Sequence, residues 1–148
     1  MQILINPIEE IETAFKSNNF FTGFALAATY FEREANQILG IVFHERVSLC
    51  VIERWSLTMK MRIVFGLNLM DKNSYNKIRE IVEVRNRLIH PTEQKDKEKR
   101  RGDIFLRFRL NEREKSSLLS FKECYSSLLQ VDARIFKEKF GDKAVSFL

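Results

Sequence analysis

The sequence predicts an all-α fold, a single helical bundle occupying residues 1–148. Three observations carry that reading. Apolar residues recur at steps of three and four along successive stretches, only five Gly and two Pro interrupt 148 residues, and Pro, Ser or Asn stands where the periodic stretches begin. With 45% apolar and 30% charged residues the composition is globular. A chain of this size buries roughly two thirds of the surface its unfolded form exposes, so no disulfide or metal staple is needed.

Pro7 ahead of Ile8, Ile11 and Phe15 predicts a short first helix ending near Ser17, with Pro in its first turn and Glu9, Glu10 and Glu12 complementing its positive end. Asn18 or Asn19 then caps a longer helix whose apolar stripe runs Phe20, Phe24, Ala28, Phe31, Ala35, Ile38 and Val42. The periodicity blurs between His44 and Trp55. Ser56 caps a helix through Met61, Val64, Phe65 and Leu69, which breaks around residues 71–73. Ser74 caps the next, through Ile78, Ile81, Val82 and Leu88; it stops near His90 because Pro91 disfavours helical geometry in the residue before it. Residues 92–103 are nearly all charged and read as a solvated loop. Ile104, Leu106, Phe108 and Leu110 then alternate with Phe105, Arg107 and Arg109, which allows a short extended segment. Asn111 with Glu114 makes a capping-box-like start to a final helix that carries Leu118, Phe121, Tyr125, Leu128, Asp132, Ile135 and Phe136 along one side and ends about Phe140. No internal repeat and no Gly-Ser or Pro-rich linker divides the chain.

Several function classes find no support. There is no Gly-rich phosphate loop, no H-E-x-x-H and no G-x-S-x-G. Cys50 and Cys124 lie far apart without a partner at metal-ligand spacing and are expected to be buried free thiols; no metal and no cofactor is called for. His44 is expected to be structural or exposed, and Trp55 with the 13 Phe to supply the core and a dimer seam. The longest apolar run is far short of the roughly 20 residues that span a bilayer. Residues 1–17 carry Glu9, Glu10 and Glu12 close behind a short apolar start, unlike a signal peptide, so a cytoplasmic location is expected and no membrane partner. The net charge of +5 favours polyanions without separating RNA, DNA and acidic proteins.

Chemistry concentrates near the end of the fourth predicted helix. At the helical turn angle, Ile78, Ile81, Val82, Leu88 and Ile89 share an arc of about 100°, and Arg85 falls in its middle. An unpaired guanidinium is costly to bury, so Arg85 needs a carboxylate, an oxyanion ligand or an open cleft. Asn86 and His90, four apart, share the neighbouring flank, while Glu83 and Arg87 can pair on the solvated side. Such a set suits phosphodiester cleavage by an internal 2'-hydroxyl: an imidazole moves protons, a fixed guanidinium stabilises phosphorane charge, and Asn86 orients a phosphate or the histidine. The alternative is that Arg85 pairs with a buried acid such as Glu32 or Glu34 and His90 merely caps its helix. From Lys95 to Arg109 there are seven basic and three acidic residues. There Lys97, Lys99, Arg100 and Arg101 with Phe105 and Phe108 could track a nucleic-acid backbone, or form an ordinary solvated loop.

The segment Ile81–Pro91, IVEVRNRLIHP, resembles the signature of the HEPN family, with Arg85, Asn86 and His90 matching its Arg, polar residue and His one for one. The element order is similar as well: a long aromatic-rich helix, a helix introduced by Ser56-Leu57, the motif helix, and a closing helix after a polar loop. The resemblance implies an up-and-down bundle of four to five helices that dimerises through the motif helices. Two Arg/His sets would then form one metal-independent, RNA-cleaving cleft serving defence or stress response. It also implies a cognate antitoxin or a nucleotidyltransferase-type protein as candidate partners. One subset, associated with toxin–antitoxin pairs, places Tyr two residues beyond the His, where this chain has Thr92. The other expectation is a HEPN-like module that dimerises or binds nucleic acid or a partner protein without turnover.

Overall fold

The computed structural model describes residues 6–44, 46–89 and 109–141. Seven α-helices account for most of them, with no strand among the described residues: α1 Pro7–Lys16, α2 Phe20–Phe43, α3 Leu49–Arg54, α4 Leu57–Gly66, α5 Lys72–Ile89, α6 Glu112–Ser117 and α7 Phe121–Phe140. A 3-10 turn, Leu118–Ser120, joins α6 to α7. The all-helical expectation holds. None of these helices is long and apolar enough to cross a membrane.

Caps set the helix ends. The Asn6 side chain accepts from the Ile8 and Glu9 amides at 3.0 and 3.4 Å, starting α1 just ahead of Pro7. Asn18, expected as a candidate cap for α2, instead closes α1: at φ 58° it occupies the left-handed region. The Asn18 and Asn19 amides donate back to the Phe15 and Ala14 carbonyls at 3.1 and 2.8 Å, a Schellman motif. Asn68, at φ 61°, ends α4 the same way, so that helix stops at Gly66 rather than running through Leu69. Ser56 caps α4 as expected, its hydroxyl accepting from the Met59 amide at 3.1 Å. Ser74 does not cap α5; Asp71 does, accepting from the Ser74 amide at 3.1 Å, and Ser74 is buried in the first turn. The reciprocal capping box of Asn111 and Glu114 forms, but it starts the short α6.

α2 is the central helix, packed against α1, α3, α4, α5 and α7. Its stripe of Phe24, Ala28, Phe31, Ala35 and Ile38 is buried as its spacing predicts. Phe31 is fully enclosed and meets the Phe121 ring of α7 at 5.3 Å. Gly23 lets α2 approach the 3-10 turn closely, since a Cβ there would lie 2.6 Å from Leu118 Cδ2. The Tyr30 hydroxyl donates to Glu10, tying α2 to α1. Trp55 packs its ring edge-on against Phe43, and His44 against Phe140. Cys124 is buried, which pushes its thiol up to about 12, whereas Cys50, expected inside, is exposed on α3. Ile89 and Phe136, both assigned to apolar faces, are 37% and 38% exposed because each lies at the margin of its stripe.

A carboxyl pair sits where α2 meets α7. Glu34 Oε2 is buried without a hydrogen-bond donor, and Asp132 faces it. Two carboxylates can hydrogen-bond only when one of them carries a proton, the form that burial favours. Burial, then the hydrogen bond and charge of Asp132, push Glu34 up to about 7, with the Arg33 charge in opposition; burial also raises Asp132. The folded state therefore holds a proton that the unfolded chain releases at lower pH. Stability is fully present below the ordinary glutamate range and is lost as pH rises through about 7. Chemical denaturation across that window should show stability declining towards neutrality. Glu34→Gln should flatten the profile and leave the variant more stable, by about 1 kcal/mol after solvent screening, on the alkaline side. A wild-type profile that rises over the window would exclude the retained proton.

Candidate functional site

The site is built on α5. Its buried face carries Tyr75, Ile78, Ile81, Val82 and Leu88, and Arg85 stands on that face between Val82 and Leu88, as the helical projection predicts. Arg85 is half-buried; its Nε is sealed from solvent with no hydrogen-bond partner among the described residues. Burial lowers its pKa, and the nearby Glu32 carboxylate opposes that shift. Of the two acids offered by the sequence as partners, Glu32 is the one that acts on Arg85, while Glu34 is engaged with Asp132.

Glu32 does not serve Arg85 alone. Lys60 on α4 is a completely buried cation, and its Nζ lies 3.5 Å from Glu32 Oε2 and 3.5 Å from the Glu53 carbonyl oxygen at α3. Glu32 thus forms its ion pair with Lys60, while its field also acts on Arg85, which has no carboxylate at ion-pair distance among the described residues. Lys60 was readable: Leu57, Met61 and Val64 form the buried stripe of α4, and Lys60 falls within it as Arg85 falls within that of α5.

Asn86 is half-buried on the adjoining flank of α5. His90, and the four basic residues Lys97, Lys99, Arg100 and Arg101, lie outside the described residues, as does most of the segment expected to be extended. In place of the expected pairing of Glu83 with Arg87, each has another partner. Glu83 pairs with Arg79 at 3.5 Å, and Arg87 forms an ion pair with Glu114 of α6. Arg113 and Glu80 add a third link at 3.6 Å. These pairs line a groove of about 630 Å³ between α5 and α6 whose charges largely satisfy one another. Arg85, without an ion-pair partner among the described residues, stands on the opposite face of the helix.

Among the described residues no group of three or more His, Cys, Asp or Glu is placed to hold a metal ion. No protein-family model matches the chain, and no curated protein and no solved structure matches it.

Proposed function

We propose that this protein is a metal-independent endoribonuclease of HEPN type, acting in the cytoplasm as a homodimer in defence or stress response. The observation that supports it most is the state of Arg85: half-buried, its Nε without an acceptor among the described residues, its neighbouring carboxylate already engaged by Lys60. A guanidinium so placed suits an oxyanion, and a phosphodiester supplies one in bidentate form.

In the proposed reaction the 2'-oxygen of one ribose attacks the adjacent phosphorus. The O2'–P bond forms, the P–O5' bond breaks, and the products carry a 2',3'-cyclic phosphate and a 5'-hydroxyl. His90 takes the 2'-proton or gives one to the departing 5'-oxygen, the partner copy's site supplying the other role. Arg85 stabilises the charge on the equatorial phosphorane oxygens, and Asn86 positions the phosphate. Lys97, Lys99, Arg100 and Arg101 hold the flanking backbone. A cognate antitoxin or a nucleotidyltransferase-type protein would be the regulating partner.

Glu32 beside Arg85 favours one other reading, a HEPN-like dimerisation or binding module in which the arginine is structural. The two part company on substrate chemistry. Incubated in EDTA with a mixed-sequence single-stranded RNA and with the same strand carrying 2'-O-methyl groups, the ribonuclease cuts only the first and leaves cyclic phosphate ends. Binding of both strands with cutting of neither selects the module.

A further inference from the structure

α7 carries two apolar stripes, and the bundle covers one of them. Cys124, Leu128, Val131 and Ile135 are buried against the core. About 140° round the helix stand Leu129, Ala133, Phe136 and Phe140, at steps of four, three and four. All four are exposed, the leucine by 41% and each phenylalanine by 38%. α2 packs along the core stripe. The links to α5 and the turn before it leave from another edge of α7, through Glu123 to Lys77 at 2.7 Å and Arg134 to the Leu69 carbonyl at 2.9 Å. The Phe136 and Phe140 rings lie 4.8 Å apart, and Phe140 meets His44 edge to face, so the outer stripe is ordered without being covered. Its spacing is that of a seam between two helices.

We propose that this outer face of α7 docks a second copy of the chain, the two α7 helices running antiparallel about a two-fold axis. Size sets the direction. Antiparallel, Ala133 faces Phe136 of the partner subunit and Leu129 faces Phe140 of the partner subunit, so a small side chain meets a larger one in every layer. A parallel pair sets Phe136 on its own counterpart and Ala133 on its own, crowding one layer and emptying the next. Charge sets the register. Asp132 and Lys139 flank one side of the stripe, Gln130 and Lys137 the other. In the antiparallel seam Asp132 lies opposite Lys139 of the partner subunit, and Gln130 opposite Lys137 of the partner subunit. Sliding by one heptad in either direction opposes Asp132 to its own counterpart, or both lysines to theirs. The stripe is only about 17 Å long, which puts the seam at the weak, reversible end of dimer interfaces. None of this rests on the ribonuclease reading, whose motif lies on α5. Joining copies at both helices would carry assembly beyond a dimer, because two isologous surfaces on one chain do not close on two copies.

Sedimentation velocity of the full-length protein over roughly 1 μM to 1 mM reads the association. Ala133→Phe opposes two phenylalanines and Phe136→Ala opposes two alanines, so each should weaken it about tenfold or more. Combined, Ala133→Phe/Phe136→Ala sets large against small again and should return it to within about threefold of wild type, a rescue that only the antiparallel layers allow. Lys139→Glu should weaken association, whereas Lys137→Glu, facing Gln130, should leave it nearly level. All four positions are exposed, so unchanged circular dichroism is expected throughout. Where α5 joins copies as well, the same changes return a larger assembly to a dimer instead of a monomer. A wild type monomeric at every concentration overturns the proposal, as does association indifferent to the single substitutions. A double variant no better than either single one, or a seam sensitive to Lys137→Glu and not to Lys139→Glu, overturns the antiparallel pairing.

Discussion

Arg85→Ala is expected to lower kcat for RNA cleavage by about a hundred- to a thousandfold, the range seen when one preorganised donor to a developing oxyanion is removed. The same substitution should leave the melting temperature level or raised. Arg85 is half-buried, its sealed Nε has no partner among the described residues, and the nearby Glu32 keeps Lys60 as its ion-pair partner when the guanidinium is gone. Deleting Arg85 thus removes a desolvated charge without stranding another. Arg85→Lys should recover little activity, because a point charge on a flexible stem cannot reproduce the planar fork that grips two phosphate oxygens. A structural arginine gives the opposite pair of results: a loss of about 3–5 kcal/mol in stability, as when a buried ion pair is broken, with RNA binding altered only through unfolding. Steady-state cleavage and thermal melts on the same preparations decide between them.

Phe31→Ala is expected to cost about 3–5 kcal/mol of stability, enough to unfold much of the population of a domain of ordinary stability. Phe31 is fully enclosed on the central helix and packs against the Phe121 ring at 5.3 Å, where α2 meets α7. Removing the ring leaves a cavity that Tyr30, Tyr125 and Phe121, already in mutual ring contact, have little room to fill. Phe136→Ala on α7, where the side chain is 38% exposed, should cost about 1 kcal/mol or less. Equal losses for the two in urea denaturation would contradict the burial assigned to Phe31.

The long helices were legible because their apolar stripes keep period: the α2 stripe from Phe24 to Ile38 and the α5 stripe from Ile78 to Leu88 are both buried. α3 was not, because only Ile52 of its six residues is buried while Leu49 and Val51 face outward, so no amphipathic pattern exists to read. Asn18 and Ser74 misled in a different way, while Asn19 does stand at the N-cap of α2. Asn can start a helix or end one, and its left-handed φ at position 18 is decided by the Schellman hydrogen bonds of α1. Asp71 outcompetes Ser74 as the cap because it stands three residues ahead and reaches the Ser74 amide. At the site, the anomaly of Arg85 on an apolar face was visible from spacing alone. The Glu32–Lys60 ion pair near it was not, because a pairing between two helices far apart in sequence leaves no local signal. Lys60 within the α4 stripe was the overlooked clue.

The central claim is that Arg85 and His90 make an RNA-cleaving site, and it is tested most directly by side-by-side cleavage of single-stranded RNA in EDTA. The assay compares wild type, Arg85→Ala and His90→Ala, with all three shown to be folded and the product ends identified. The account predicts that wild type alone cuts and leaves cyclic phosphate ends. Three equally active proteins, or three equally inert ones, would contradict it.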